Sequence, residues 1–172
     1  SIPHMSGEEQ EYINQAFDTN WLAPLGPNVD AFEREISDYV GGSHVAVVNT
    51  GTSAIHLALI LLNVARGDVV FCQSFTFVAT ANPILYQGAT PVFIDSDADT
   101  WNMSPVALKK ALLFHKKKET LPKAIVIVHL YGRCANMESI MNICDEFEVP
   151  VIEDAAESFG AFYQGRHSGT IG

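Results

Sequence analysis

The chain has 172 residues, 48% hydrophobic and 17% charged, which suits a folded core and excludes a disordered, highly charged chain. Ten Lys plus Arg against 20 Asp plus Glu give a formal net charge of −10. That balance excludes broad binding to nucleic acid or anionic lipid, which need a basic surface, but still allows an anionic small ligand in one local pocket.

Ser1-Ile2-Pro3-His4 carries no basic run ahead of an apolar one, so no secretory signal is read there, and no apolar stretch is long enough to cross a bilayer. Residues 8–19 place Tyr12, Ile13, Ala16 and Phe17 at helical spacing. Two prolines and a glycine break residues 21–27, and residues 29–40 form a second amphipathic helix with Phe32, Ile36 and Tyr39 on one face. Residues 44–48 are apolar and rich in valine, which predicts a strand. Asn49-Thr50-Gly51-Thr52-Ser53 is a turn with several N-cap candidates ahead of a helix over 54–62.

A strand is expected over 68–72, a helix from near Thr76 towards Tyr86, and a strand over Thr90–Ile94. Ser104-Pro105 reads as an N-cap followed by a first-turn proline, with a helix over 106–115. Lys116-Lys117-Lys118 reads as a solvated linker. A strand over 124–129, a helix over Met137–Phe147 and a strand over 149–153 complete the pattern. Strands that are continuous apolar runs and alternate with helices predict a three-layer α/β/α domain around a mainly parallel sheet. Cys72, Cys134 and Cys144 are odd in number and irregularly spaced, with no CxxC metal or redox pair. Reduced thiols in the cytoplasm are the expectation.

Open parallel sheets bind ligands beyond the carboxyl ends of their strands. After the first expected strand, Gly51-Thr52-Ser53 offers free N–H groups and two hydroxyls at a helix start, either a phosphate cradle or an ordinary capped turn. Neither a P-loop lysine nor GxGxxG spacing is present, which counts against a nicotinamide-dependent oxidoreductase. Phe75 and Phe77 at the next strand end suit core packing or contact with a planar ring. His129 at a later strand end is structural or functional. Glu153 and Asp154 close an apolar strand, where an unpaired buried carboxylate is costly. Successive strand residues face opposite ways, so only one of the two need meet a ligand. Asp154 is either a helix cap or the partner of a protonated ring nitrogen, and the second is favoured.

Taken in order, these motifs resemble the DegT/DnrJ/EryC1/StrS family of pyridoxal-phosphate sugar aminotransferases. The likeness runs over nearly the whole chain, through residues 21–27, 49–59, 75–79, 91–95, 129–132, 151–161 and 169–172. The wording is most similar to the branch that makes UDP-linked 4-amino sugars of the bacillosamine type. The resemblance implies a fold-type I large domain, with residues 1–172 as its N-terminal, incomplete part and the small C-terminal domain absent. It also implies that Thr52 and Ser53 hold the cofactor phosphate, Phe77 stacks on the pyridine ring, and Asp154 pairs with the pyridinium nitrogen. Glu157 stands where many members have Gln or His, near the cofactor's phenolic oxygen. A charged Glu would repel a phenolate there, so it is expected protonated, hydrogen-bonded or turned towards substrate.

The implied reaction moves an amino group from an amino acid, usually glutamate, to a nucleotide-linked keto-hexose, in a homodimer with sites at the interface. It requires a Schiff-base lysine. The six lysines here (Lys109, Lys110, Lys116, Lys117, Lys118 and Lys123) match none in the family's lysine motif, which follows the stretch similar to 169–172. The 172 residues alone are therefore expected to be inactive. The alternatives are a related sugar dehydratase, with histidine in place of that lysine, and a non-catalytic cofactor-binding fragment.

Overall fold

The computed structural model describes residues 2–172. They fall into two compact units, one up to Val47 and one from Val48 to Gly172. The first holds α1 (Glu9–Asp18) and α2 (Pro27–Tyr39). Pro27 starts α2 where a missing N–H costs nothing. Neither helix buries a residue completely.

The strand expected over 44–48 does not form. A strand needs a ladder partner, and no described residue pairs with this segment. The N–H of Val47 goes instead to the Glu33 carboxylate at 2.8 Å.

The second unit contains α3 (Gly51–Leu61), β1 (Val69–Gln73), α4 (Asn82–Tyr86), β2 (Thr90–Ile94), α5 (Pro105–Lys117), β3 (Ala124–Val128), α6 (Met137–Phe147) and β4 (Val151–Asp154). The four strands form a parallel sheet in the order β2-β1-β3-β4. Their residues alternate between two cores. Phe71, Ile125 and Ile127 face α5 and α6, packing among Leu108, Leu112 and Ile140. Val70, Cys72, Ala124 and Val126 face α3 and α4, packing among Ile55, Leu59 and Ile84. This gives three layers, and explains why β3 is buried at every position and apolar at every position.

The remaining differences from expectation have local causes. The helix expected from Thr76 is broken into a single 3-10 turn, Val78–Thr80, and the short α4. Pro83 has no N–H to bond the carbonyl four residues back, so one continuous α-helix cannot pass through it. Lys116 and Lys117 are not linker residues but the last turn of α5, where cations meet the negative end of the helix dipole. β4 starts later than expected because the Val149 N–H still closes α6, on the Cys144 carbonyl, and Pro150 has none to give. Residues 162–167, left unassigned by the sequence, form the hairpin β5 (Phe162–Tyr163) and β6 (Arg166–His167). Gln164 (φ 50°) and Gly165 (φ 82°) make its two-residue turn, and paired positive φ values of this kind match the twist of the flanking strands.

Cys72, Cys134 and Cys144 are all free thiols. Burial pushes the thiols of Cys72 and Cys144 up to about 12. Among the described residues, no helix is long and apolar enough to cross a membrane.

Candidate active site

The carboxyl ends of β1, β3 and β4 and the N-terminus of α3 enclose one cavity of about 680 Å³. Thr50, Gly51, Thr52, Phe77, Asp154 and Glu157 are among its lining residues. Residues separated by more than a hundred positions thus meet where an open parallel sheet places its ligands.

The α3 wall is an N-terminus with part of its capping complete. Thr50 is the N-cap, and its Oγ1 accepts the Ser53 N–H at 3.1 Å. The Ala54 N–H reaches the Thr50 carbonyl at 3.1 Å. Gly51 and Thr52 lie ahead of the first intrahelical bond, so no helix carbonyl takes their N–H groups. Both residues line the cavity, and a Cβ added at Gly51 would meet nothing within 4 Å. Free amides, the positive end of the helix dipole and an open approach together suit a phosphate. The Ser53 hydroxyl is turned into the cap, donating to Asn49 Oδ1 at 2.8 Å and lying 3.0 Å from Thr50 Oγ1. Ser53 is not among the residues that line the cavity.

A further part of the lining is Asp154, at the end of β4. Its Oδ2 accepts a hydrogen bond from Thr80 Oγ1 at 3.0 Å, and its Oδ1 one from the Ala156 N–H at 3.3 Å. Each oxygen keeps acceptor capacity towards the cavity. Phe77 also lines the cavity, with 78% of its surface exposed. Glu157 also lines the cavity, and its Oε2 accepts the N–H of Tyr131 at 2.7 Å. Of the expected outcomes for Glu157, the hydrogen-bonded one is found. The bond holds the 129–132 turn, in which Tyr131 takes the left-handed φ of 53°.

Glu153 and His129 belong elsewhere. The Glu153 side chain is 3% exposed and the His129 side chain fully buried. The Ala135 N–H donates to His129 Nδ1 at 3.1 Å, which puts the ring proton on Nε2, and Nε2 donates to Glu153 Oε2 at 2.8 Å. Glu153 accepts three further bonds, from the N–H groups of Gly169 (2.9 Å), Ile171 (2.5 Å) and Gly172 (2.5 Å). Burial pushes its carboxyl up, but the bonds from His129 and from those backbone groups outweigh it and hold the carboxyl below the usual range. Neither residue lines the cavity, so the open question about His129 closes in favour of a structural role.

Sequence reasoning missed Thr76 and Thr80, and with them the support of Asp154. The signal was present: two hydroxyls four residues apart, the second inside the apolar run Val78-Ala79-Thr80-Ala81, where a buried hydroxyl requires a partner.

The cavity suits a phosphorylated aromatic cofactor on three counts: its lining includes a helix N-terminus with free amides, a carboxylate and an exposed aromatic side chain. Comparison with known proteins gives the same direction. The DegT/DnrJ/EryC1/StrS aminotransferase family matches residues 3–172. The Bacillus subtilis (strain 168) protein EpsN, provisionally named a pyridoxal phosphate-dependent aminotransferase, is 62% identical over all 172 residues, which cover 44% of its length. GDP-perosamine synthase of Caulobacter vibrioides is 39% identical over the same 172 residues, covering 45% of its length. Among solved structures, 3-amino-5-hydroxybenzoic acid synthase aligns with a TM-score of 0.87 at 30% identity, over 99% of this chain and 43% of that one. The chain therefore spans less than half the length of these relatives. With the family matched over all but its first two residues, and with a cavity built of the elements that the family's motifs mark, this chain belongs to the DegT/DnrJ/EryC1/StrS aminotransferase family.

Proposed function

We propose that the full-length protein carrying this chain uses pyridoxal phosphate to transfer an amino group from an amino acid, glutamate in the first instance, to a nucleotide-linked keto-hexose. We place it in amino-sugar and surface-glycan biosynthesis, in the cytoplasm, and take the sugar as UDP-linked. One observation carries the reading: a single cavity lined by the open N-terminus of α3, the Asp154 carboxylate and Phe77.

In this reading the Gly51 and Thr52 amides and the Thr52 hydroxyl hold the phosphate, and Ser53 acts through the cap that keeps those amides in place. Phe77 covers one face of the ring. Asp154, half-buried at its strand end, would hold a proton on the ring nitrogen as an ion pair. Bound there, the cofactor supplies an electron sink for the carbon that loses or gains the amino group. Glu157 uses one oxygen to hold the Tyr131 turn. None of the six lysines lines the cavity, so these residues bind and orient while the covalent amine comes from outside them. The chain then forms part of a cofactor-binding large domain, in a homodimer whose partner completes the site. The exposure of Phe75 and Tyr131 at the mouth, 46% and 69%, supports an opening that something further covers.

The test is to incubate the full-length protein with pyridoxal phosphate, glutamate and a 4-keto-hexose linked to UDP or to GDP, and to follow the product by mass spectrometry. Replacement of the keto oxygen by an amine on the UDP sugar is expected. Amination of the GDP sugar alone overturns the nucleotide assignment. Loss of a hydroxyl without gain of nitrogen identifies a dehydratase.

A further inference from the structure

The strongest feature outside the roles already assigned is a pair of hydroxyls behind Asp154. Thr80 is fully buried. Its Oγ1 lies 3.0 Å from Asp154 Oδ2 and 2.8 Å from Thr76 Oγ1. A hydroxyl has one proton to give, and an ionised carboxylate has none. The Thr80 proton therefore goes to Asp154, so Thr76 must donate to Thr80. The result is a directed relay, Thr76 to Thr80 to Asp154, with its outer end at Thr76 on the cavity wall.

The backbone of the same turn carries Phe77. The Thr80 N–H donates to the Phe77 carbonyl at 3.1 Å, closing the turn that presents the exposed ring. One five-residue segment, 76–80, thus fixes both a flat face and, through a hydroxyl, the direction of a carboxylate 74 residues further along the chain. The Ala156 N–H, at 3.3 Å, is the longer of the two bonds holding that carboxylate. Without Thr80 the carboxylate keeps only the longer Ala156 bond.

We propose that Thr80, supported by Thr76, is a positioning residue that locks the Asp154 carboxylate in register with the Phe77 ring face, so that ring stacking and ring-nitrogen pairing are set together. The inference rests on the proposed role of Asp154 as the partner of the ring nitrogen. A hydrogen bond to a charged group is among the stronger kinds, so its removal has a measurable effect.

The experiment compares Thr80→Val, Thr80→Ser, Thr76→Val and Asp154→Asn in the full-length holoenzyme. Two readouts are followed besides turnover: cofactor affinity, by fluorescence titration of the cofactor-free protein with pyridoxamine phosphate, and the pH dependence of the bound cofactor's visible absorbance. Thr80→Val keeps the shape and removes the donor. It is expected to lower kcat by roughly 10- to 100-fold, leave the KM of the amino donor within about threefold, and shift the absorbance titration. Thr80→Ser keeps the hydroxyl and recovers most of that loss, and Thr76→Val gives a smaller change of the same kind. Should Thr80→Val not fold, the comparison of Thr80→Ser with Thr76→Val carries the test. A loss in Thr80→Ser as large as in Thr80→Val would show that a hydroxyl at this position does not restore function and would overturn the proposal. So would an unaltered absorbance titration in Thr76→Val together with Thr80→Val. If Asp154→Asn is crippled while the threonine variants are normal, only this inference fails; if Asp154→Asn is itself normal, the proposed role of Asp154 fails first.

Discussion

Glu153 and Asp154 are neighbours in sequence and serve opposite sides of the sheet. Glu153 lies on the closed side, its side chain 3% exposed, taking one bond from His129 and three from the backbone of 169–172. Asp154 lies on the cavity side, held by one hydroxyl and one amide, with acceptor capacity left over. The alternation of a strand separates them, and the number of donors around each decides its work. A carboxylate surrounded by donors is an anchor, whereas one with unused lone pairs on an open cavity is available to a ligand.

That contrast can be broken at either residue. The largest expected effect is on activity: Asp154→Asn in the full-length enzyme keeps the shape but loses the charge, and turnover is expected to fall by roughly 10²–10³-fold with stability little changed. Steady-state kinetics alongside thermal melting checks both halves. Glu153→Ala should reverse the pattern, removing about 3 kcal/mol of stability, because His129 and three amides lose their common acceptor. Urea unfolding of the second unit's sheet, followed by circular dichroism, measures it.

The same anchor predicts a pH dependence with a definite sign. Glu153 is held below its ordinary range in the fold, so the unfolded chain binds its proton first. Its contribution is complete above the unfolded value of about 4.3 and declines as pH falls from there through the folded value. Glu153→Gln should flatten that acid limb; a variant whose acid limb matches the parent's would remove Glu153 from the role. The smallest effect is expected at the α3 cap. Thr50→Ala should cost about 1 kcal/mol and weaken pyridoxamine phosphate binding a few-fold, because the amides of Gly51 and Thr52 lose the cap that orients them.

Much of this was legible in the residues. The Ser104-Pro105 start of α5, the extent of α6 and the β2 strand follow from capping chemistry and apolar runs, which act over a few residues. The cavity residues Thr52, Phe77, Asp154 and Glu157 were reached through motif order and the rule that ligands sit beyond strand ends. The absence of a strand over 44–48 was not legible, because strand formation depends on a ladder partner and not on valine content. Nor was the break at Pro83, outweighed in a pattern reading by the apolar residues on both sides.

The sequence by itself determined which segments could be strands, where α5 and α6 begin, and that two carboxylates would end an apolar strand on opposite faces; it put 51–53 in a turn, where the structure has the first turn of α3. Local physics sets these: side-chain periodicity, missing N–H groups and capping hydroxyls. Only the tertiary structure decided that Asp154 meets the cavity and Glu153 meets residues 169–172, that His129 is a strut, and that Thr80 reaches Asp154. Those outcomes depend on which donors lie within about 3 Å once distant segments pack, and no spacing along the chain encodes that distance.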